Sequence, residues 1–326
     1  MGRRVTSVDV AREAGVSRAT VSYVLNDVST QKIPESTRER VLAAAERLGY
    51  APSAAARALR AGRSDVVLCL LPDWPIGPTA GEFLDHMSTA LADYGLTFMV
   101  HPRGRHARPI TEVWKAITPC AVIAYEDFDE AELAAMRAAG VLATHVIPGT
   151  AKARAKAVDQ VRIGRMQAEY LHGRGHRRLG YAFYPDERLT DLCRPRLEGV
   201  QQACASLGLP EPLVVDVPLN AAAAARAVDR WKGEVTAVCC YNDETAFAVL
   251  AGMRERGLSA PADLAVIGVD DIPTAPLSAP PLTTIRTDHD TTASRVVDRL
   301  LSLMSGETPP SPTPPVSIRL IHRESA

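Results

Sequence analysis

The sequence predicts a small all-α head followed by a larger α/β body built on parallel sheets. Three observations lead there. Residues 5–26 place apolar side chains at helical spacing on either side of a glycine, the chain beyond residue 65 alternates short apolar runs with amphipathic stretches, and charge divides between the two parts. At 326 residues the chain is long enough for two or three units of ordinary size, and 46% hydrophobic content is ample for their cores. The net charge of −1 conceals a division: residues 1–64 hold 11 Lys and Arg against 6 Asp and Glu, and the remainder 26 against 32. A basic head on an acidic body suits a head that meets phosphates, although solvated surface charge would give the same count.

In residues 5–26, VTSVDVAREAGVSRATVSYVLN, Thr6 can N-cap a first helix, with Asp9 in the capping-box position. Val8, Val10, Ala11 and Ala14 supply its apolar face. Gly15 stands at the turn, where a residue without Cβ costs least. Ser17 can cap a second helix with apolar positions Ala19, Val21, Val24 and Leu25. The pattern fits two readings, a plain helical hairpin or a helix-turn-helix whose second helix enters the major groove of DNA. Residues 35–50 then repeat apolar side chains (Val41, Leu42, Ala45, Leu48) at helical spacing until Gly49 and Pro52 stop the helix. Residues 53–60, SAAARALR, are helix-prone but too short to be stable alone, and residues 62–64 read as a linker.

In the body, strands are expected near 66–71, 97–101, 121–125 and 143–146, and after a helix around 162–172 a second series near 179–184, 213–217, 237–241 and 264–269. Two such series suggest two similar lobes. The proline run at 309–315 reads as a stiff connector to a last strand at 316–321. The six cysteines lie mostly in apolar runs with no metal-ligand spacing, as small core residues of a reduced protein would. Arg3 and Arg4 have no apolar run behind them and no stretch approaches the ~18 apolar residues of a membrane span, so a cytoplasmic protein is expected, with no signal peptide and no membrane partner. His172 and His176 are four apart, but Gly173 and Gly175 weaken a metal-binding helix, and no GxSxG elbow, phosphate loop or HExxH is present. No enzyme activity, metal or cofactor is expected.

Over residues 5–60 the chain resembles the head and hinge of lactose-repressor/galactose-repressor type (LacI family) bacterial transcription regulators. The body agrees in VDQVRIG (158–164), RGHRRLGY (174–181), CCYNDETA (239–246), PADLAVIGVDD (261–271), PLTTI (281–285) and the terminal RES (323–325), and is looser over 72–157. The resemblance implies a head at 1–51, a hinge helix and linker at 52–64, and a two-lobed, periplasmic-binding-protein-like (type I) body at 65–326. One lobe would hold about 65–158 and 288–315, the other about 159–287 and 316–326. It further implies a homodimer on palindromic operator DNA, a repressor controlled by a small-molecule effector such as a sugar or related metabolite, and a nucleoid location. The alternatives are a small-solute-binding protein with no DNA role, or a regulator that has lost its effector.

Position matching puts Arg18, Ala19 and Tyr23 on the base-facing side of the recognition helix. Arg suits a guanine edge and Ala a thymine methyl. Tyr23 stands where the family usually carries Arg, and the loop at 27–33 is about two residues longer than the common pattern. Thr6, Ser17, Thr20, Asn26 and Thr37 are the remaining DNA-contact candidates, with helix capping the structural alternative for Thr20 and Asn26. Leu59 matches the hinge leucine wedged into the minor groove, and the same residue could pack two hinge helices together. For the effector, ligands of open α/β folds bind beyond the carboxyl ends of strands, which nominates Asp73, Trp74, Asn242 and Asp270, and the resemblance implies Arg196, three before Gly199, with Asn242 and Asp270 as effector contacts. Trp74 could equally belong to the core, and Asp243 and Asp271 read as helix or turn caps.

Overall fold

The computed structural model describes residues 5–25, 33–50, 64–103, 110–147, 160–308 and 316–326. Asn26, Leu59, the hinge segment 53–60, the loop at 27–32 and the proline run 309–315 lie outside them. The chain divides into two compact units, residues 1–65 and 66–326.

The first unit contains α1 (Ser7–Ala14), α2 (Arg18–Leu25) and α3 (Glu35–Arg47). The Asp9 carboxylate accepts from the Thr6 N–H at 2.9 Å and the Thr6 hydroxyl at 2.7 Å, fixing the start of α1. Gly15 ends the helix at φ 65°, a left-handed conformation that favours glycine. Ser17 Oγ accepts from the Thr20 N–H at 3.1 Å and starts α2. Three helices meet on a narrow core of Val10, Ala11, Ala14, Val21, Val24, Val41, Ala44 and Ala45. Two positions expected in that core face outward: Val8 is 45% exposed and Leu42 48%. Elements this short share only a strip about two residues wide, and the 3.6-residue repeat turns Val8 and Leu42 off it. Ala19, expected among the apolar positions of α2, is likewise exposed.

The second unit holds two sheets of the same strand order. The first is β2-β1-β3-β4, from β1 (Val66–Leu71), β2 (Thr97–Pro102), β3 (Ala121–Ala124) and β4 (Ala143–Val146), all parallel. The second is β6-β5-β7-β8, from β5 (Leu179–Phe183), β6 (Leu213–Asp216), β7 (Ala237–Cys240) and β8 (Ala265–Ile267), also parallel. Outside both, β9 (Thr284–Thr287) pairs with β10 (Ile318–Ile321) antiparallel. The sequence reading missed β9, because PLTTI follows a proline-rich turn and lacks a clear alternation.

The central strands of each sheet are covered on both faces, which explains why they read as continuous apolar runs. In lobe 1, Val67 and Ile123 pack with Phe83, Met87 and Leu91 of α4 (Pro78–Ala92) and Val297 and Leu300 of α11 (His289–Ser305). Leu68, Leu70 and Val122 point the other way, onto Trp114 of α5 (Ile110–Ile117) and Met136 of α6 (Glu130–Ala138). In lobe 2, Tyr181, Cys239 and Ile267 meet Ile163 and Leu171 of α7 (Gln160–Gly173) and Val200 of α8 (Thr190–Ser206). Val238, Cys240 and Val266 meet Trp231 of α9 (Ala221–Trp231) and Val249 and Met253 of α10 (Asp243–Glu255). All six cysteines are free and buried, filling space as small apolar side chains. The chain therefore leaves lobe 2 after β9, contributes α11 to lobe 1, and returns as β10. The terminal segment is fastened into lobe 2: Ser325 Oγ donates to the Val266 carbonyl at 2.6 Å and accepts from the Thr283 N–H at 2.8 Å.

Candidate functional site

On α2 the side chains divide by face. Val21 and Val24 are buried, while Arg18 and Ala19 are exposed and Tyr23 is half-exposed. Ala19 and Tyr23, four apart, share a stripe about half a turn from the buried valines. Arg18 occupies the first turn of its own helix, the end at which a cation opposes the helix dipole, so it does nothing for helix stability there. Thr20 shares a 2.9 Å hydroxyl contact with Ser17, and the exposed Thr6 hydroxyl is committed to Asp9. Thr37 lies half-buried in the first turn of α3, its N–H donating to the Pro34 carbonyl at 2.9 Å. Removing the cap hydroxyl, Ser17→Ala, is expected to cost the head about 1 kcal/mol, read as a shift in its urea midpoint.

In the body, a cavity of ≈ 430 Å³ opens between the two lobes at the carboxyl ends of the central strands. That volume is ordinary for a small-molecule site. Four of the five effector candidates line it: Trp74, Arg196, Asn242 and Asp270. Asp73 does not. The Trp74 N–H closes on the Pro72 carbonyl at 2.6 Å, and this tight turn leaves Asp73 in solvent while Trp74 lines the cavity. Trp74 meets the Tyr125 ring edge-on, centroids 5.1 Å apart, so it belongs to the cavity wall rather than the core.

Arg196 projects from α8 into lobe 2's half of the cavity. Its Nε donates to Gln160 Oε1 at 2.5 Å, Nη1 donates to the Tyr241 carbonyl at 2.5 Å, and Nη2 lies 3.7 Å from Asp270 Oδ1. The guanidinium also stands 4.7 Å over the Tyr241 ring, which stacks parallel to Tyr184 with centroids 6.4 Å apart. Burial raises the Asp270 carboxyl above its ordinary range, and the charge of Arg196 works against that rise. Asp270 and Asp271 both have positive φ, 112° and 54°, strained for residues with a Cβ. Several bonds hold them there: the Asp270 N–H donates to the Ile285 carbonyl at 2.7 Å, and Arg323 Nη2 donates to Asp271 Oδ1 at 2.7 Å.

Asn242 caps α10, its Oδ1 accepting from the Thr245 N–H at 2.9 Å and hydroxyl at 2.8 Å. The capping expected of Asp243 and Asp271 is corrected: both tie separate segments together. Asp243 is fully buried, Oδ2 accepting from the Ile272 N–H at 2.9 Å and Oδ1 from the Thr284 hydroxyl at 2.6 Å. Gly268 is required beside it, since a Cβ there would lie 2.1 Å from Asp243 Oδ1. Burial, then the Asp270 charge, pushes the Asp243 carboxyl up to about 8 from 3.8. Its proton is thus bound more tightly folded than unfolded, a contribution fully present below about pH 4 and lost as pH rises through about 8. Asp243→Asn, which mimics the protonated acid, is expected to flatten the fall in urea midpoint between pH 6 and 8.5 that the native chain shows.

The sequence reading missed Tyr125, Tyr184, Tyr241, Gln160, Glu244 and His289, all of which line the cavity. The three tyrosines were findable, because each is the first residue beyond a central strand: β3, β5 and β7. His289 had no such signal, as it enters from α11, which returns from the other lobe. Burial lowers its imidazole below the ordinary value, and the Asp270 charge works against that fall.

Residues 7–53 match the family described as bacterial regulatory proteins, lacI family, and residues 168–326 match the periplasmic binding protein-like domain. The HTH-type transcriptional repressor PurR of Photobacterium profundum is 30% identical over 298 residues, covering 86% of this chain and 86% of its own. The chain belongs to the lacI family. It is a DNA-binding transcriptional regulator with a helix-turn-helix head and an effector-binding type of body. The HTH-type transcriptional regulator GalR of Salmonella typhimurium is also 30% identical, over 98% of this chain and 95% of its own. The fold agrees with the lac repressor dimer bound to operator and the anti-inducer ONPF, at a TM-score of 0.76 and 24% identity, with 99% of each chain covered. These relatives of the lacI-family chain are named as transcriptional regulators and not as enzymes. Among the described residues no helix is long and apolar enough to cross a membrane, and no cluster of three or more His, Cys, Asp or Glu could hold a metal ion.

Proposed function

We propose that this chain is a homodimeric repressor that binds a palindromic operator in the cytoplasm, at the nucleoid, and changes its affinity for DNA when a small effector, a sugar or other metabolite, enters the cleft between its lobes. The observation that carries the reading is the cleft itself: a cavity lined by side chains of both lobes, around a buried Arg196–Asp270 pair. A ligand touching both lobes binds their closed arrangement better than an open one, and that difference in affinity is what an effector needs to shift a conformational equilibrium.

In this reading the head is 1–51, the hinge 52–64, and the body 65–326, with lobe 1 about 65–158 and 288–315 and lobe 2 about 159–287 and 316–326. Arg18 donates to a guanine edge from the start of α2, Ala19 meets a thymine methyl, and Tyr23 reads the neighbouring position. Thr6, Ser17, Thr20, Asn26 and Thr37 set the head on phosphates. Leu59 wedges into the minor groove between the paired hinges. Tyr23 is bulky and uncharged, so the preferred half-site differs from one selected by arginine at that position.

A gel-shift titration of the full chain on DNA from upstream of its own gene tests this. Binding is expected to weaken steeply with salt as phosphate contacts release counter-ions. Arg18→Ala is expected to lose about 1–3 kcal/mol of specific affinity while binding to random DNA changes little. Salt-independent binding, or equal loss on both DNAs, would contradict the assigned roles.

A further inference from the structure

The polar groups lining the cleft are mostly committed to one another. Arg196 is taken up by Gln160, the Tyr241 carbonyl and Asp270. Asn242 Oδ1 is used by Thr245, and the Thr292 hydroxyl donates to the Asp288 carbonyl at 2.7 Å. Among the described residues two lining groups are exceptions: His289, whose buried Nε2 has no hydrogen-bond partner, and the acid Glu244. Glu244 lines the cavity from the first turn of α10, half-buried, and its carboxylate receives a single long hydrogen bond, 3.4 Å from Asn242 Nδ2. Among the described residues no cation lies within ion-pair distance of it. Arg196 and Asp270 offset each other, so the described lining carries one uncompensated negative charge, on Glu244. Burial and the neighbouring Asp270 charge push the Glu244 carboxyl above its ordinary range, and the hydrogen bond from Asn242 works against that rise.

Around this carboxylate the same cavity carries Trp74, Phe83, Tyr125, Tyr184 and Tyr241, together with aliphatic side chains of both lobes. Aromatic faces attract cations electrostatically, and Arg196 over Tyr241 already shows the geometry in this cleft. A polyhydroxylated neutral ligand would need a free partner for each buried hydroxyl, and most candidates are occupied.

We infer that the effector is a small organic cation, a protonated amine on an apolar or aromatic body, with its ammonium paired to Glu244 and its body laid against the rings of the two lobes. This rests on the effector-controlled reading above and narrows it to a chemical class. Binding such a cation brings the lining to neutrality and removes apolar ligand surface from water, the arrangement that makes a buried charge tolerable.

The probes are 2-phenylethylamine, its neutral counterpart 2-phenylethanol, and D-galactose, titrated into the full chain by Trp74 emission. Trp114 and Trp231 are buried inside the lobes, and Trp74→Phe identifies the cleft signal. The amine is expected to bind at least about tenfold more tightly than the alcohol, a difference of about 1.4 kcal/mol. Glu244→Gln is expected to bring that ratio close to one, while Asp85→Asn, an exposed acid on α4 outside the cavity, leaves it unchanged. Equal affinity for amine and alcohol, tighter binding of galactose, a ratio that survives Glu244→Gln, or no response to the amine at ~1 mM would each overturn the inference. The same ligands added to the gel shift separate the two levels. Release or retention of DNA by galactose alone sinks the cation class and keeps the effector-controlled regulator. Failure of the chain to bind its upstream DNA at all sinks the regulator reading itself.

Discussion

Alanine at Gly164 is expected to lower the stability of the body by about 3 kcal/mol and to abolish its response to effector. Helices α7 and α8 cross at a pair of reciprocal glycines. A Cβ on Gly164 would lie 1.9 Å from the Arg196 carbonyl oxygen, and one on Gly199 would lie 2.0 Å from the carbonyl oxygen of Val161. Both obstacles are backbone, so no side chain can swing aside, and the helices would have to separate by about an ångström or more in a close-packed interior. That separation would also carry Arg196 away from Gln160 and the Tyr241 carbonyl, each only 2.5 Å distant. Gly173→Ala supplies the control within the same helix. Nothing lies within 4 Å of a Cβ there and its φ is not positive, so the change should be neutral or stabilising by about 0.5 kcal/mol. Thermal melts would show a drop of about 6–12 °C for Gly164→Ala and none for Gly173→Ala. Equal melting temperatures would mean that the crossing relaxes at little cost.

The same crossing shows what a sequence exposes and what it withholds. Two series of short apolar runs were enough to expect two parallel-sheet lobes, because strands covered on both faces carry apolar residues on both, as Val67 and Leu68 do. The helix termini of the head were legible through Thr6, Asp9, Gly15 and Ser17, whose roles are local in the chain. The spacing in VRIG and RPRLEG gave no hint that two glycines 35 positions apart would interlock, since that depends on how α7 and α8 are laid together. The errors share a cause. Val8 and Leu42 fit a helical repeat but lie off the narrow strip that three short helices share, and Asp73 follows a strand but is turned outward by the bend at Pro72. In the cleft, Trp74, Asn242 and Asp270 could be nominated from their place after strands. The tyrosines after β3, β5 and β7 obeyed the same rule and were read only as strand ends. Asp243 misled in the opposite direction. Its position at the start of α10 suggested a cap, whereas Asn242 takes that role and frees Asp243 to bind Ile272 and Thr284 across the lobe.

Arg196→Ala is expected to destabilise the body by about 3–5 kcal/mol at neutral pH, because it leaves a buried carboxylate without its cation. The side chains of Arg196 and Asp270 are only 8% and 12% exposed. With the guanidinium gone, the largest influence against the desolvation that already raises the Asp270 carboxyl is lost, and only His289 and a hydrogen bond from Thr79 still oppose it. The direction of the pH dependence then distinguishes this cause from lost packing. A carboxyl whose folded pKa is raised contributes stability that is fully present below the unfolded value of ~4 and lost as pH rises through the folded value. Removing Arg196 raises the folded value further, so the deficit of Arg196→Ala relative to the native chain should be small near pH 4 and widen toward pH 8. A packing defect would cost the same at both. The double variant Arg196→Ala with Asp270→Asn should recover part of the loss at pH 8 and almost none at pH 4, since a neutral amide needs no cation. Urea midpoints of the three chains at the two pH values decide the matter. A deficit that stays constant with pH would mean that Arg196 holds the lobe through its bonds to Gln160 and the Tyr241 carbonyl rather than through its charge.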